Sequence, residues 1–157
     1  MSAVKDMVVY GPNMLRVSPA VFGTALERFR AASYRNRQAL APWNDALWAG
    51  RPRCFYTADL AGGFAVLTDG TLVGVHSWVP HRGDELVAAA VERGADKLTC
   101  FDVGPLRALY QRHGFVVVTR EEYRPMSLTE HAPATWNHVQ DKLCYACERP
   151  DFLTMER

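Results

Sequence analysis

The chain has 157 residues, the length of one ordinary domain, and its 48% apolar and 22% charged residues match the usual composition of globular proteins. That composition excludes a disordered regulator, a collagen-like fibre and a low-complexity linker. With 18 Lys and Arg against 17 Asp and Glu the formal charge is +1, so no global field attracts nucleic acid or anionic lipid, and only a local basic patch remains open. No apolar run approaches the roughly 20 residues that span a bilayer, and the start of the chain lacks the pattern of a signal peptide. We therefore expect a cytoplasmic protein with no membrane segment and with reduced thiols.

The first third of the sequence predicts a strand, a helix and a segment of mixed character. A short strand is expected from Val8 to Tyr10, before a Gly-Pro-Asn stop. A helix is predicted from Ser18 to about Ala32, because serine is a good N-cap, the following proline suits the first turn, and apolar residues recur at helical spacing. The stretch Tyr34–Arg53 is interpreted as a second helix or an ordered loop.

The middle of the chain predicts alternating strands and helices. Asp69-Gly70 between two apolar runs is a strong hairpin signal. In chain order we expect strands at Gly63–Leu67 and Leu72–Ser77, a helix at Asp84–Arg93, a strand at Lys97–Phe101, a helix at Pro105–His113 and a strand at Phe115–Thr119. From Pro125 to the end at residue 157 the sequence predicts an irregular tail. This alternation is typical of an α/β architecture, and we expect a single domain over residues 1–157.

The last of these helices ends in a recognisable motif, Leu-Tyr-x-x-x-Gly-Phe, at residues Leu109 to Phe115. Together with the preceding hairpin, loop and helix, it resembles the GNAT acetyltransferase superfamily, most clearly over residues 54–120. The resemblance implies a mixed central β-sheet flanked by helices. More narrowly, the run from Ala61 to Phe115 and the closing Arg149-Pro150-Asp151-Phe152 are similar to small GNAT-like proteins of phage and prophage genomes.

The loop before the helix at Asp84 departs from the superfamily's acyl-CoA motif, which is Gln/Arg-x-x-Gly-x-Gly/Ala. Here the corresponding residues are Trp78-Val79-Pro80-His81-Arg82-Gly83, with Trp78 at the first position and His81 in place of the middle glycine. The resemblance assigns the acetyl-CoA cradle to Val79, Arg82, Gly83 and Asp84. Acidic residues in the first helical turn favour the helix dipole but would repel a pyrophosphate.

Three residues are candidates for the chemistry. The resemblance places Tyr110 where a tyrosine protonates the departing thiolate as general acid, and the alternative is that Tyr110 only packs its helix. His76 ends a predicted strand and is a candidate base, because histidine titrates near neutral pH; the alternative is a structural histidine. Asp102 follows the next strand and is the second candidate base, with a capping or turn-forming role as the alternative.

Cys144 and Cys147 form a single Cys-x-x-Cys pair. A structural zinc site usually needs four ligands from two such pairs. The further candidates, Cys54, Cys100, His131 and His138, would complete a site only if the fold brought them close. The sequence therefore predicts incidental thiols and no metal.

Two functions of different classes remain open. The first is an N-acyltransferase that transfers an acetyl group from acetyl-CoA to an amine-bearing small molecule or protein by direct attack of the amine. The second is a catalytically inactive protein of the same fold that binds a host protein or nucleic acid through the arginines and tryptophans of Tyr34–Arg53. Tyr110 favours the first function, and the altered loop favours the second.

Overall fold

The structure, a computed structural model, describes residues 14–33, 36, 40, 43–102, 105–121 and 151–157. Within them the elements in chain order are β1 (Met14–Val17), α1 (Pro19–Ala31), α2 (Asp45–Ala49), β2 (Arg53–Thr57), β3 (Gly62–Val66), β4 (Leu72–Ser77), α3 (Gly83–Glu92), β5 (Lys97–Phe101), α4 (Leu106–Arg112), β6 (Val116–Glu121) and β7 (Phe152–Glu156). The predicted strand from Val8 to Tyr10 and the pair Cys144 and Cys147 lie outside the described residues.

The first sheet is antiparallel and has the strand order β1-β2-β3-β4. The predicted hairpin between β3 and β4 is confirmed, and its turn is fixed by local geometry: Gly70 has a φ of 91°, and the Asp69 carboxylate accepts the Thr71 N–H at 2.9 Å. The predicted helix start at Ser18 is also confirmed, because the Ser18 hydroxyl accepts the Val21 N–H at 3.2 Å. Strands β1 and β2 were not among the predicted elements.

The second sheet is antiparallel and has the order β5-β7-β6. The prediction of an irregular tail to residue 157 is wrong for residues 152–156, which form β7, the middle strand of this sheet. Leu153 and Met155 alternate along β7 and are fully buried, so the strand is held by its inward face as well as by pairing on both edges. Five residues of alternation are too short a signal to identify a strand in isolation.

The two sheets meet at one parallel bridge between Thr71 and Lys97, reinforced by the Asp96 N–H, which donates to the Gly70 carbonyl at 2.9 Å. Strands β4 and β5 thus start side by side and run in the same direction. Beyond the bridge they form no further pairs in the described structure. The sheet therefore opens between them.

Helices cover both faces. Helices α3 and α4 pack on one side, where Leu86, Phe115 and Leu153 belong to the larger core. Helix α1 packs on the other face through Phe22 and Leu26, which are completely buried. The expected mixed α/β sheet flanked by helices is thus confirmed. Among the described helices, none combines the length and apolar character that crossing a membrane requires.

Candidate functional site

A cavity of about 210 Å³ occupies the gap where β4 and β5 separate. Its described lining comes from β4 (Leu72 to His76), β5 (Leu98 to Cys100), α4 (Leu106 and Tyr110) and the α1 side (Phe29, Asn36 and Leu40). Two of the predicted catalytic residues, Tyr110 and His76, therefore share this wall although they lie far apart in sequence. We refer to this space as the cavity.

Tyr110 is 8% exposed, and its ring packs edge-on against Phe115 with 6.0 Å between centroids. Within the described part of the chain its hydroxyl makes no hydrogen bond. Burial raises the pKa of that hydroxyl above its usual range, and the neighbouring Cys100 raises it further. Tyr110 thus packs the core and lines the cavity, and its hydroxyl is protonated. Its role as general acid stays a prediction.

His76 is 4% exposed, and both of its ring nitrogens are engaged. Nδ1 lies 2.7 Å from the Gly74 carbonyl oxygen, and Nε2 lies 2.7 Å from the Tyr56 hydroxyl. Because a carbonyl can only accept, Nδ1 carries the proton and Nε2 accepts from Tyr56. Burial lowers the pKa of His76, against an opposing effect of the Gly74 hydrogen bond. The ring is therefore neutral, and its predicted role as a base would require the Tyr56 bond to break.

Asp102 is not among the described residues that line the cavity. Its carboxylate lies 3.4 Å from Arg107 Nε and 3.4 Å from Arg120 Nη1, and its backbone N–H donates to the Asp151 carbonyl at 2.8 Å. Taking up a proton would weaken both ion pairs. Asp102 thus lies outside the lining that Tyr110 and His76 share, although its charge raises the pKa of Cys100 in that lining. Its role as a base stays a prediction.

The α3 loop, residues 78–82, keeps a bend that normally needs glycine. His81 has a φ of 66°, in the left-handed region, and it stands where the superfamily motif has its middle glycine. A side chain in that region costs about 1–2 kcal/mol. The backbone therefore has the glycine-type conformation although the residue is histidine.

Helix α3 begins at Gly83, and no side chain caps its N-terminus. The first N–H groups of a helix have no partner within it, so they are available to an acceptor. A Cβ atom added at Gly83 would lie 3.0 Å from Leu109 Cδ2. Any side chain at this position would therefore point towards α4. Helix packing is therefore a second reason for glycine at this position, besides the cradle role that the resemblance implies.

Arg82 is held by two carboxylates. Its Nε and Nη2 each donate to Glu85 at 2.9 Å, and its Nη1 donates to Asp59 at 2.6 Å. Hydrogen bonds from Thr57, from the Ala61 N–H and from Arg82 lower the pKa of Asp59 to about 2, so this carboxylate is ionised throughout the physiological range. The cation that the resemblance offers to a pyrophosphate is therefore already paired.

Asp84 and Val79, the remaining predicted cradle residues, also have internal partners. The Asp84 carboxylate accepts from Arg112 at 3.1 Å and lies 2.8 Å from His113 Nε2, and these contacts lower its pKa. The Val79 N–H donates to the Ser77 hydroxyl at 3.1 Å. The repulsion expected from Asp84 is thus reduced by α4, and the free backbone donors are those of the first turn of α3.

Tyr56 and Asp59 belong to this site and were missed by sequence analysis. Their partners His76 and Arg82 lie 20 and 23 residues away, on other elements. The only local signal was the Thr-x-Asp pattern at Thr57, which is typical of a side-chain-stabilised turn. It indicates a turn but does not indicate a partner for Arg82.

No protein-family model matches the sequence, and no curated protein matches it at a significant level. Among solved structures, a ribosomal-protein-alanine N-acetyltransferase from Brucella melitensis aligns with a TM-score of 0.54 and 13% identity, over 92% of this chain and 98% of that one. An acetyltransferase of the GNAT family from Streptococcus pneumoniae aligns with a TM-score of 0.52 and 12% identity, over 92% and 97%. The chain therefore has the GNAT fold, as predicted. The narrower similarity to phage proteins stays a prediction.

Proposed function

We propose that the protein is an N-acyltransferase that transfers an acetyl group from acetyl-CoA to an amine by direct attack. The observation that carries this proposal is the cavity where the strands separate, since its lining includes Tyr110, whose hydroxyl has no hydrogen bond among the described residues. Helix α4 connects the cavity to the start of α3, since Tyr110 lines the cavity while Leu109 faces Gly83. One helix thus lies beside the start of α3, where the phosphates would bind, and beside the cavity, where the acetyl group and the acceptor would meet.

The start of α3 fits the pyrophosphate of an acyl-CoA through its backbone. The helix is uncapped, its N–H groups point away from the helix towards the preceding loop, and an anion there is favoured by the helix dipole. Arg82 and Asp84 contribute little net attraction, because each is neutralised by side chains of opposite charge. The N–H groups of Gly83 and Asp84 would therefore bind the phosphates, while Arg82 and Val79 shape the loop.

When bound, acetyl-CoA supplies an activated thioester. Tyr110 holds a proton at its hydroxyl until sulfur can take it. Burial raises the pKa of the Cys100 thiol, in the same wall, to about 12. If the sulfur of bound acetyl-CoA lies against this wall, burial would make its thiolate more basic in the same way, so that it would accept the Tyr110 proton.

The alternative function, an inactive protein of the same fold that binds a macromolecule, is favoured by one observation. The Arg82 guanidinium donates its hydrogen bonds to Asp59 and Glu85, as expected for a loop that does not bind an anion. In the surface predicted for that partner, Tyr34–Arg53, residues 34, 35, 37–39, 41 and 42 lie outside the described residues. Within its described part Trp48 is 46% exposed, and Arg53 donates to the Arg93 carbonyl at 2.8 Å.

Calorimetric titration with acetyl-CoA separates the two functions without knowledge of the acceptor. We expect saturable heat with acetyl-CoA and with CoA, and none with acetate, because the phosphates supply the contacts at α3. Absence of heat at millimolar acetyl-CoA would overturn the acyltransferase proposal. In that case nucleic acid and protein partners become the next ligands to test.

A further inference from the structure

The walls of the cavity are mainly apolar. Leu72 and Val75 of β4 face Leu98 of β5 and Leu106 of α4, and Phe29 of α1 closes one side. The Phe29 ring contacts both His76, at 5.0 Å between centroids, and the half-exposed Trp78, at 4.8 Å. Such walls stabilise a ligand by removing its apolar surface from water, and they offer little to replace the hydration of an ion.

Each titratable side chain among the described lining residues is held in its uncharged form by its surroundings. His76 is 4% exposed and hydrogen-bonded at both nitrogens, with Nδ1 carrying the proton. Cys100 and Tyr110 are each 8% exposed, and burial disfavours their anions. The Asp102 carboxylate, outside the lining, disfavours the Cys100 anion as well, but it is paired with Arg107 and Arg120. An ammonium ion in this cavity would therefore lose its water shell and meet neutral groups in return.

We propose that the acceptor enters the cavity as an uncharged amine of low basicity, carried on an apolar and preferably aromatic body. This inference rests on the proposed acetyl transfer and names the substrate class of the same site. Such an amine needs neither a counter-ion nor a protein base to prepare it. The two candidate bases are in fact already engaged. His76 Nε2 accepts from Tyr56. The Asp102 carboxylate is paired with Arg107 and Arg120.

The step balances without a further reactant. The lone pair of the amine attacks the thioester carbonyl, the C–N bond forms, and the C–S bond breaks with its electron pair left on sulfur. Tyr110 gives its proton to sulfur, and the proton released by the nitrogen restores Tyr110. Amine and thioester thus become amide and thiol, with Tyr110 unchanged.

Basicity then decides which amines react at neutral pH. An amine with the basicity of a lysine side chain is neutral in fewer than about one molecule in a thousand, whereas an amine with the basicity of a peptide α-amino group is neutral in about one in ten. For two amines whose apolar parts fit the cavity equally well, the less basic amine should therefore react on the order of 100-fold faster at low amine concentration.

The first test uses phenylalaninamide and 2-phenylethylamine, which share an aromatic body while the carboxamide lowers the basicity of the former. The readout is release of CoA thiol at pH 7. We expect kcat/KM to be at least about tenfold higher for phenylalaninamide. Glycinamide, weakly basic but without the ring, should react at least about tenfold more slowly than phenylalaninamide, because it leaves the apolar walls uncovered. A higher kcat/KM for 2-phenylethylamine or for spermidine would overturn the inference.

The second test follows kcat/KM against pH for the two aromatic amines. If the neutral amine is the reacting form, kcat/KM falls about tenfold per pH unit below the pKa of each amine. The two profiles are therefore displaced along the pH axis by the difference between the pKa values of the two amines. A kcat/KM that falls above the pKa of the amine instead would mean that the ammonium form binds, and it would overturn the inference.

The third test changes the wall. Leu106→Glu places a carboxylate at the start of α4, where the helix dipole favours it, and Leu106→Gln is the neutral control of the same size. We expect the Glu variant to shift the preference towards 2-phenylethylamine and spermidine by at least about tenfold, while the Gln variant keeps the wild-type order. Equal behaviour of the two variants would contradict the inference.

These tests separate the inference from the function on which it rests. If acetyl-CoA gives no heat and no amine releases thiol, the acyltransferase proposal itself fails. If acetyl-CoA binds and thiol is released fastest with cationic amines, the acyltransferase stands and the neutral-amine inference is wrong.

Discussion

The cavity and the α3 loop both adjoin the end of β4, yet the titratable side chains of the cavity are neutral and those of the loop are charged. In the cavity, the polar side chains of His76, Cys100 and Tyr110 are all held neutral by burial. At the loop, the exposed Asp84 and the partly buried Arg82 are charged, and both are paired with neighbouring side chains. The loop charges therefore stabilise the start of α3, and we expect the reaction to take place in the neutral cavity. Variants of the cavity should accordingly change the rate of acetyl transfer, and variants of the loop should change stability and acetyl-CoA affinity.

The largest effect is expected from Tyr110→Phe. Removing the hydroxyl should slow acetyl transfer by about 10- to 100-fold, which is typical of a lost proton donor, and leave acetyl-CoA affinity within about threefold. Initial rates of thiol release and calorimetric titration measure the two quantities.

Tyr56→Phe is the matched control, because Tyr56 is also a buried tyrosine but hydrogen-bonds to His76. It should cost about 1 kcal/mol of stability and change turnover only a few-fold. Wild-type turnover in Tyr110→Phe would mean that Tyr110 is a packing residue. A strong loss in Tyr56→Phe instead would identify the Tyr56–His76 pair as the reactive one.

The next effect concerns Gly83, where packing and ligand binding must be separated. Gly83→Val should lower the free energy of unfolding by about 1–2 kcal/mol, since its side chain would press on Leu109. Thermal denaturation without ligand measures this cost.

Leu109→Ala in the same chain opens the space that the valine needs. If pyrophosphate lies over Gly83, the double variant still fails to bind acetyl-CoA. If the double variant binds as tightly as Leu109→Ala alone, Gly83 serves the contact between α3 and α4 and has no role in the cradle.

The fold was predictable where the signals were local. The cap at Ser18 identified the start of α1. The predicted helices Asp84–Arg93 and Pro105–His113 are each followed by a glycine, Gly94 and Gly114, which the structure holds at φ of 95° and 91°, the conformation typical of a helix end. Strands β2 and β7 were missed, because each is identified by partners on both sides rather than by its own five residues. Strand identity in a sheet is largely non-local.

The site was predictable to a smaller extent. The sequence motif singled out Tyr110, and the structure places it in the cavity with His76. Local patterns contain no information on the hydrogen bonds of His76 to Tyr56 or of Arg82 to Asp59, since these depend on which strands become neighbours. These contacts decide whether a candidate base or cation is free to act.

A smaller effect is expected at His81, where the loop uses a conformation that suits glycine. His81→Gly should raise the free energy of unfolding by about 0.5–1 kcal/mol, after allowance for the extra freedom that glycine gives to the unfolded chain. His81→Ala keeps the unfavourable left-handed conformation and should bring no gain. If both variants behave alike in urea denaturation, the histidine side chain itself contributes to the loop.

The smallest effect tests the charges of the loop. Asp59→Asn removes one of the two carboxylates that hold Arg82, so Arg82 becomes more available to a phosphate, and acetyl-CoA affinity should rise about two- to fivefold. Asp69→Asn is the control, because it removes the same charge from the β3–β4 turn, where the carboxylate binds Thr71. It should leave the affinity unchanged.

The same pair of variants gives a pH readout. The pKa of Asp59 is lowered from its ordinary value of 3.8 to about 2 in the folded protein, so its stabilising contribution is complete above about pH 5 and is lost as the pH falls from there through about 2. Asp59→Asn should therefore flatten the acid denaturation curve between about pH 4 and 2. If its affinity for acetyl-CoA rises no more than that of Asp69→Asn, Arg82 does not meet the phosphates. The backbone of α3 then has to hold them alone, and the charges of the loop serve only its shape.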